Sequence, residues 1–155
     1  MKEELCKRPA RPEECAALTE LCLRSKAHHG YDADFMSACR PELTVTPNRL
    51  ARGGHAVAEV GGKLAGFVQV LTQDGETWLE GLFVEPDFIG EGIGTQLMAA
   101  AIAMARETGA KELEIHADPF AEAFYISCGA RRVGLVPSGS IPGRKLPQLV
   151  LSLTS

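Results

Sequence analysis

The feature that most constrains the fold of this chain is a glycine-rich turn that joins an apolar strand to an alanine-rich helix. Glycine occupies alternate positions in the turn, Gly90, Gly92 and Gly94, and the predicted helix runs from Thr95 to Thr108. Glycine permits positive φ and lets the backbone approach a ligand without an intervening Cβ. Because the first N–H groups of a helix lack internal partners and lie at the positive end of its dipole, this turn suits a diphosphate.

Three alternatives can be weighed against the diphosphate cradle. A loop without a ligand is the simplest. A mononucleotide P-loop requires Gly-Lys-Ser/Thr at the helix start, and Gly94-Thr95-Gln96 lacks the lysine. A dinucleotide fold requires Gly-x-Gly-x-x-Gly near its first strand, whereas the spacing here is Gly-x-Gly-x-Gly and an antiparallel meander precedes it. The surrounding sequence therefore excludes both nucleotide-binding alternatives.

The meander is predicted from two valine-rich runs, 55–60 and 63–72, that flank Gly61-Gly62. Such a pair indicates a hairpin with a two-residue turn at positive φ. A third strand follows at 78–84, and the strand after the alanine-rich helix is expected to pair with it in parallel. The predicted strands span 5–10, 55–60, 63–72, 78–84, 113–117, 131–136 and 148–153.

The helices are predicted from apolar residues at helical spacing and from their end signals. They span 12–26, 32–39, 95–108 and 119–128, and 41–54 is predicted to be a loop. The chain is thus predicted to be a single domain, residues 1–155, with an α/β fold. Its mixed, mostly antiparallel sheet would have six or seven strands, a central β-α-β unit and four helices.

Composition and charge exclude several function classes. The formal net charge of -4 argues against nucleic acid as a partner, although backbone amides can still bind one anionic ligand. No apolar run reaches the roughly 18–20 residues that cross a bilayer. Five cysteines without a Cys-x-x-Cys pair, and a polar N-terminus without a secretory apolar core, indicate reduced thiols and a cytoplasmic location.

Two motifs carry a resemblance to a known family. The first is Leu82-Phe83-Val84-Glu85-Pro86 with Ile89-Gly90-Glu91-Gly92-Ile93-Gly94-Thr95-Gln96-Leu97 after it. The second, Ala121-x-x-Phe124-Tyr125-x-x-x-Gly129-Ala130, lies at the usual distance downstream. Residues 78–134 together resemble the GCN5-related N-acetyltransferases (GNAT), and the loop after Gly-Ala-Arg-Arg is similar to that of a bacterial branch of the family.

The resemblance implies the acyl-CoA N-acyltransferase (GNAT) fold, acetyl-CoA as co-substrate, and direct transfer to a primary amine in a ternary complex. The family signature is Arg/Gln-x-x-Gly-x-Gly/Ala, and Ile89 stands at its Arg/Gln position. The diphosphate would therefore be bound by backbone N–H groups without the usual polar side chain. Asp118 stands where many members carry asparagine and can accept a pantetheine hydrogen bond. The implied cofactor-binding residues are Phe83, Val84, Ile89, Gly90, Glu91, Gly92, Ile93, Gly94, Thr95, Asp118, Ala121 and Phe124.

Acetyl transfer to an amine requires a neutral amine, stabilisation of the developing oxyanion and a proton for the leaving thiolate. By resemblance, Tyr125 is the general acid and the Val84 N–H the oxyanion donor. Strand alternation places Trp78, Glu80, Leu82 and Val84 on one face. An acid among apolar residues there is costly unless it is bonded or used, so Glu80 is the candidate base, acting through a water. The structural alternative for Glu80 is a solvated carboxylate at a strand end. The structural alternative for Tyr125 is an aromatic residue of the core.

The acceptor is expected to approach from the two N-terminal helices, where Tyr31 with Asp32 or Asp34 would hold a cationic amine. A solvated helix end is the alternative. His28 and His29 are adjacent, have no third ligand at suitable spacing and do not predict a metal site. The glycine- and proline-rich loop 137–147 either closes over the acceptor or connects two strands.

The sequence therefore predicts a cytoplasmic acetyl-CoA-dependent N-acetyltransferase whose partners are acetyl-CoA and an amine acceptor. A non-catalytic acyl-CoA-binding or sensing module is the alternative from another class. Dimerisation is common in the family, so a homodimer is compatible with the resemblance, but the sequence itself gives no sign of one.

Overall fold

Residues 4–154 are described by a computed structural model, in which seven strands form one mixed sheet in the order β1-β2-β3-β4-β5-β7-β6. The strands are β1 Leu5–Arg8, β2 Gly54–Val60, β3 Lys63–Gln73, β4 Glu76–Val84, β5 Glu112–His116, β6 Arg131–Pro137 and β7 Lys145–Ser152. The helices are α1 Cys15–Ala27, α2 Ala33–Leu43, α3 Pro47–Leu50, α4 Ile93–Glu107 and α5 Glu122–Ser127. The predicted α/β architecture is confirmed.

Strand pairing follows the predicted plan. β1 to β4 pair antiparallel in succession, and Gly61 and Gly62 have φ of 57° and 80° in the turn between β2 and β3. The crossover through α4 makes β4 and β5 parallel neighbours. β7 then inserts antiparallel between β5 and β6, so the last strand of the chain is not at the edge of the sheet.

Two details of the N-terminal half differ from the prediction. α2 continues through Pro41 to Leu43 rather than ending at Cys39, and the predicted loop 41–54 contains the single turn α3. Pro41 lies near the C-terminal end of α2, which ends two residues later at Leu43. One of the last carbonyls of the helix, Glu42 O, accepts from Arg49 Nη1 at 2.6 Å. Arg49 lies on α3, which begins where Thr46 Oγ1 accepts from the Arg49 N–H.

The predicted face of β4 is wrong because the strand contains a β-bulge. The register with β3 passes from Gln69↔Gly81 to Val70↔Leu79, which leaves Glu80 as the extra residue. Trp78 and Glu80 share one face, where the indole Nε1 donates to Glu80 Oε2 at 2.8 Å. Leu82 packs with the core on the opposite face, so the bulge reverses the alternation along the strand.

The sheet is covered on both faces. α4 lies on one face, where its apolar stripe buries Leu97 and Met98 among the strands. α1 and α2 lie on the other, where Leu18 and Phe67 are the largest fully buried residues of the cluster. Among residues 4–154, no helix has the length and apolar character to cross a lipid bilayer.

Gly66 on β3 lets α4 approach the sheet closely. A Cβ at this position would lie 2.6 Å from Leu97 Cδ1 and 2.8 Å from Phe83 O. The second contact is with backbone, so the neighbouring strand or the helix would have to shift. The contact therefore fixes how near the helix that follows the glycine turn lies to β3 and β4.

We expect Gly66→Ala to lower the free energy of unfolding by about 1–3 kcal/mol, because overpacking a filled core forces such shifts. The measurement is urea unfolding followed by far-ultraviolet circular dichroism. Gly134→Ala is the matched control, because its added Cβ would meet only the flexible end of Gln148 at 3.3 Å. Equal losses in the two variants would contradict close packing at Gly66.

Candidate active site

The central cavity is produced by the parting of two parallel strands. β4 and β5 pair at only two positions, Trp78↔Glu114 and Leu79↔Ile115. Beyond the bulge at Glu80, β4 continues beside β3 while β5 remains beside β7. The gap opens into a cavity of about 410 Å³ bordered by β4, β5, the end of α1, α2, α5 and the β6–β7 loop. A gap of this kind admits a narrow chain between two strands that would otherwise be hydrogen-bonded.

The predicted diphosphate cradle lies at the start of α4. Gly90 and Gly92 have φ of 87° and 81°, and a Cβ built on either would meet nothing within 4 Å. Gly92 is the left-handed N-cap residue of α4 and has no side-chain cap. The first bond into the helix is donated by Gln96 to Gly92 O, so the N–H groups of the residues between them point out of the helix start.

Gly94 has a different role from the one its spacing suggested. It lies inside α4 rather than at positive φ, and a Cβ there would lie 3.2 Å from Phe124 Cζ. Glycine at this position therefore brings the first turn of α4 against the aromatic ring of α5. The contact places Ile93 and Thr95 of the cradle next to the segment that carries Tyr125 and Ala121.

The other cradle residues predicted from the resemblance lie on the surface of the turn. Ile89, at the Arg/Gln position of the signature, is 54% exposed, and Glu91 is exposed as well. The Ile89 side chain has no polar group, and the Glu91 carboxylate has no hydrogen bond in the part of the chain that the structure describes. The positive character of the cradle therefore comes from N–H groups and the helix dipole rather than from a charged side chain.

Tyr125 lies where α5 meets the cavity. Its side chain is buried in the core cluster and forms part of the cavity wall. Burial, with smaller contributions from Asp118 and Cys128, raises the pKa of the phenol above its ordinary value. Within residues 4–154 no hydrogen bond is formed by the Tyr125 hydroxyl. The group is thus a protonated phenol with its donor hydrogen free.

Glu80 lies on the opposite wall of the cavity, at the bulge. It is half-buried, and its carboxylate accepts from the Trp78 indole. Glu85, the acid that directly follows β4, accepts from both Arg24 Nε and Arg24 Nη2 at 2.8 and 2.9 Å. Glu80 lines the cavity, whereas Glu85 does not.

The Val84 N–H, the predicted oxyanion donor, points away from β3 toward α1. It donates to Ser25 Oγ at 3.2 Å, and Ser25 also lines the cavity. Phe83 lines the same wall and packs against the core of the α1 side. The backbone group expected to bind an oxygen is thus already bound to one.

Asp118 is the centre of a charged cluster rather than a free hydrogen-bond acceptor. Its carboxylate accepts from Lys26 Nζ at 2.9 Å, from the Tyr31 hydroxyl at 2.9 Å and from the Phe120 N–H. Arg144 Nη2 donates to the Tyr31 hydroxyl at 2.6 Å. Burial opposes the charged form of Asp118, but the bonds from Lys26 and Phe120 outweigh it and hold its pKa below the ordinary value.

The residues predicted to contact the acceptor lie beside the cavity rather than on its wall. Burial and the bond to Asp118 raise the pKa of Tyr31 to about 12, so its hydroxyl is a donor at neutral pH. Asp32 caps α2 by accepting from the Phe35 N–H at 2.8 Å, and Asp34 is exposed on the first turn of that helix. The structure brings Tyr31 to the Asp118 cluster and leaves the two acids at the surface.

Sequence reasoning missed several residues of the cavity, among them His116 on β5. Its Nε2 lies 2.9 Å from Glu114 Oε2, and Glu114 Oε1 accepts from Gln148 Nε2 on β7. The alternation of polar Glu114 and His116 with buried Leu113 and Ile115 along β5 is the signal that could have found them. In the described residues no group of three or more histidine, cysteine or acidic side chains is arranged to hold a metal ion.

Comparisons with known proteins agree with the fold and with the motifs. The model of the "Acetyltransferase (GNAT) family" matches residues 16–130. A comparison with curated protein sequences found no match.

Three solved structures illustrate the similarity in fold. A GCN5-related N-acetyltransferase from Rhodopseudomonas palustris is 22% identical, with a TM-score of 0.81 over 98% of each chain. PaiA N-acetyltransferase from Thermoplasma acidophilum, in complex with coenzyme A, is 16% identical, with a TM-score of 0.79 over 96% of this chain and 99% of its own. YncA of Salmonella typhimurium, a putative acetyltransferase with its cofactor acetyl-CoA, is 22% identical, with a TM-score of 0.69 over 98% and 95%.

The resemblance to the family is therefore confirmed, and the family model, which matches residues 16–130, extends it back to α1. The overall fold, built on the seven-stranded sheet, is shared with the solved structures. This chain belongs to the acetyltransferase (GNAT) family and is an acyltransferase.

Proposed function

We propose that the protein is an N-acetyltransferase that moves the acetyl group of acetyl-CoA directly to a primary amine. The observation that carries the proposal is the arrangement of the cavity. A backbone cradle for a diphosphate lies outside one end of the parted strands, and a phenol hydroxyl with a free hydrogen lies on the wall inside.

The residues present fit coenzyme A. The open space in front of Gly90 and Gly92 suits a diphosphate, and the contact of Gly94 with Phe124 connects the cradle to the cavity wall that includes Ala121 and Phe83. The PaiA and YncA structures are described with coenzyme A and acetyl-CoA, which supports the same ligand here. Bound acetyl-CoA would supply an activated acyl thioester with a thiolate leaving group.

Tyr125 is proposed to donate a proton to the leaving sulfur. Its raised pKa keeps the phenol protonated at neutral pH, and it lines the cavity with its hydrogen unused. The Val84 N–H is proposed to donate to the developing oxyanion in place of its present bond to Ser25 Oγ. Both donors are held by regular secondary structure, so little reorganisation is needed when charge develops.

Glu80 is proposed to accept the proton of the amine through a water molecule. The bulge turns its carboxylate into the cavity, and the Trp78 indole fixes one of its oxygens. The other oxygen is left to bind the ammonium form of the acceptor and then its proton. The structural alternative, a strand-end carboxylate fully in solvent, agrees less well with a half-buried side chain that lines the cavity.

The acceptor is proposed to be a primary amine that enters on the side of α2 and the β6–β7 loop. Glu42 of α2 and Gly139 of the loop border the cavity there. Tyr31, Asp32 and Asp34 are still proposed as acceptor contacts, but none lines the cavity, so they would meet only a part of the acceptor that extends beyond it. We also propose a cytoplasmic location, which the five free cysteines support.

A non-catalytic acyl-CoA-binding module is the second candidate. The exposed Ile89 favours it, because the family's polar residue at this position is replaced by an apolar one. The free hydroxyl of Tyr125 opposes it.

The first test is release of free thiol from acetyl-CoA with a panel of amines that includes diamines, amino acids and peptides with lysine or a free N-terminus. We expect thiol release above the hydrolytic background with at least one class of amine, and mass spectrometry should detect the acetylated form of that amine. Tight binding of coenzyme A with no release for any amine would favour the binding module instead.

We expect Tyr125→Phe to lower kcat by about 10²-fold with little change in the KM for acetyl-CoA, because a general acid acts in the transition state and not in binding. Tyr31→Phe removes the same atom from a phenol outside the cavity wall. Because Tyr31 is proposed only to contact the acceptor, this variant should change the KM for the amine and largely retain kcat. If kcat is unchanged in Tyr125→Phe, Tyr125 has no part in the proton transfer.

We expect Asp118→Asn to lower the free energy of unfolding at pH 7 by about 1–2 kcal/mol, because it removes charge-assisted bonds from Lys26. A carboxyl whose pKa is lower in the folded than in the unfolded state stabilises the protein above its unfolded value, about 3.9, and loses that effect as the pH falls through its folded value. The difference between the variant and the natural chain should therefore shrink below about pH 4.

Urea unfolding at several pH values measures this difference. Asp34→Asn makes the same chemical change at an exposed position and should be nearly neutral at each pH. A loss in Asp118→Asn that is independent of pH would contradict the ion pair as its cause.

A further inference from the structure

We propose that His116 carries the net proton of the reaction from the cavity to solvent, and that Glu114 and Gln148 hold its ring in the orientation required. The inference rests on the proposed transfer to an amine. It assigns a role to a polar group of β5 that neither the glycine turn nor the Tyr125 motif indicates.

The reaction of an ammonium acceptor releases one proton for each turnover. The C–N bond forms and the C–S bond breaks, with the electron pair of the C–S bond leaving on sulfur. The acceptor begins as an ammonium and gives up two protons as it becomes an amide. One of these replaces the proton that Tyr125 gives to sulfur, and the other must leave the cavity. A site between two core clusters therefore needs an exit for this proton.

The geometry of His116 suits such an exit. Glu114 and His116 are two residues apart on β5 and lie on one face, and Glu114 is fixed in turn by Gln148 of the neighbouring strand. With Nε2–H donating to the Glu114 carboxylate, the neutral ring presents Nδ1 as an acceptor. A carboxylate bound to the far side of an imidazole fixes both the tautomer and the orientation of the ring.

The position of His116 connects the cavity to solvent. Leu79 and Ile115 form the last pair before β4 and β5 part, so Glu80 and His116 are the next residues on the two strands. Both line the cavity, but the His116 side chain is 43% exposed to solvent whereas Glu80 is half-buried. A proton accepted at Glu80 can pass through cavity water to His116 and from there to the bulk.

An imidazole suits this role because it can both accept and release a proton under physiological conditions. The sheet places Glu114 directly against the ring, and no cation is within salt-bridge distance of the Glu114–His116 pair among the described residues. The other titratable groups that share the cavity with His116 are Lys26, His29, Glu42, Glu80, Asp118 and Tyr125.

The test compares kcat for His116→Gln and the natural chain in weak and in strong buffer, with an amine that the natural chain acetylates. In weak buffer we expect kcat to fall by roughly 10-fold, less than the ~10²-fold of a group that acts on the substrate, because water replaces the imidazole in part. Added imidazole should restore most of the loss. The KM for acetyl-CoA should not change. His28→Gln, a histidine outside the cavity wall, is the matched control.

The possible results separate the explanations. A loss in His116→Gln that neither buffer nor imidazole restores would show a structural role and overturn the proposal, as would an unchanged kcat. Absence of turnover in the natural chain with every amine would instead overturn the acetyltransferase proposal itself. Glu114→Ala removes the acceptor that orients the ring and should lower kcat in weak buffer, and added imidazole should restore most of the loss. An unchanged kcat would remove Glu114 as a positioning residue.

Discussion

The site depends on the point at which β4 and β5 stop pairing. A parallel pair normally continues as long as both strands do, and its backbone groups must find other partners once it ends. Here β4 remains paired with β3, and β5 remains paired with β7, so each strand loses hydrogen bonds along one edge only. The bulge at Glu80 lies at the parting, and the Val84 N–H beyond it bonds to the Ser25 hydroxyl of α1 instead of to a strand. Unpaired backbone groups are thereby made available along a gap within the sheet.

The two ends of this gap use different chemistry. At the α4 end, the groups available to a ligand are backbone N–H groups and a helix dipole, and the nearby Glu91 and Ile89 side chains add no positive charge. At the other end, side chains dominate: Tyr125, Glu80 and His116 border the cavity. The contact of Gly94 with the Phe124 ring connects the two ends. Substitutions at one end can therefore alter the binding of coenzyme A without altering the choice of acceptor, and substitutions at the other end can do the reverse.

Features set by short stretches of sequence could be predicted, and features set by distant contacts could not. The hairpin at Gly61-Gly62, the helix after the glycine turn and the parallel pairing of β4 with β5 follow from local turn chemistry and periodicity. The sequence of β4 does not reveal the bulge, because the bulge is one additional residue in a strand of ordinary composition. The strict alternation assumed for Trp78 to Val84 was wrong for that reason. The partner of a carbonyl in the last turn of α2 is likewise distant in sequence, because Glu42 O accepts from Arg49 seven positions further along.

The Asp118 cluster has a consequence for the order in which the protein assembles. Its bonds join residues separated by 92, 87 and 113 positions in the chain, in the pairs Lys26–Asp118, Tyr31–Asp118 and Tyr31–Arg144. Contacts of such long separation carry a large loop-closure entropy and form only after the sheet has brought their segments together. None of the four residues belongs to a strand, so the bonds of this cluster can break without loss of a strand pair.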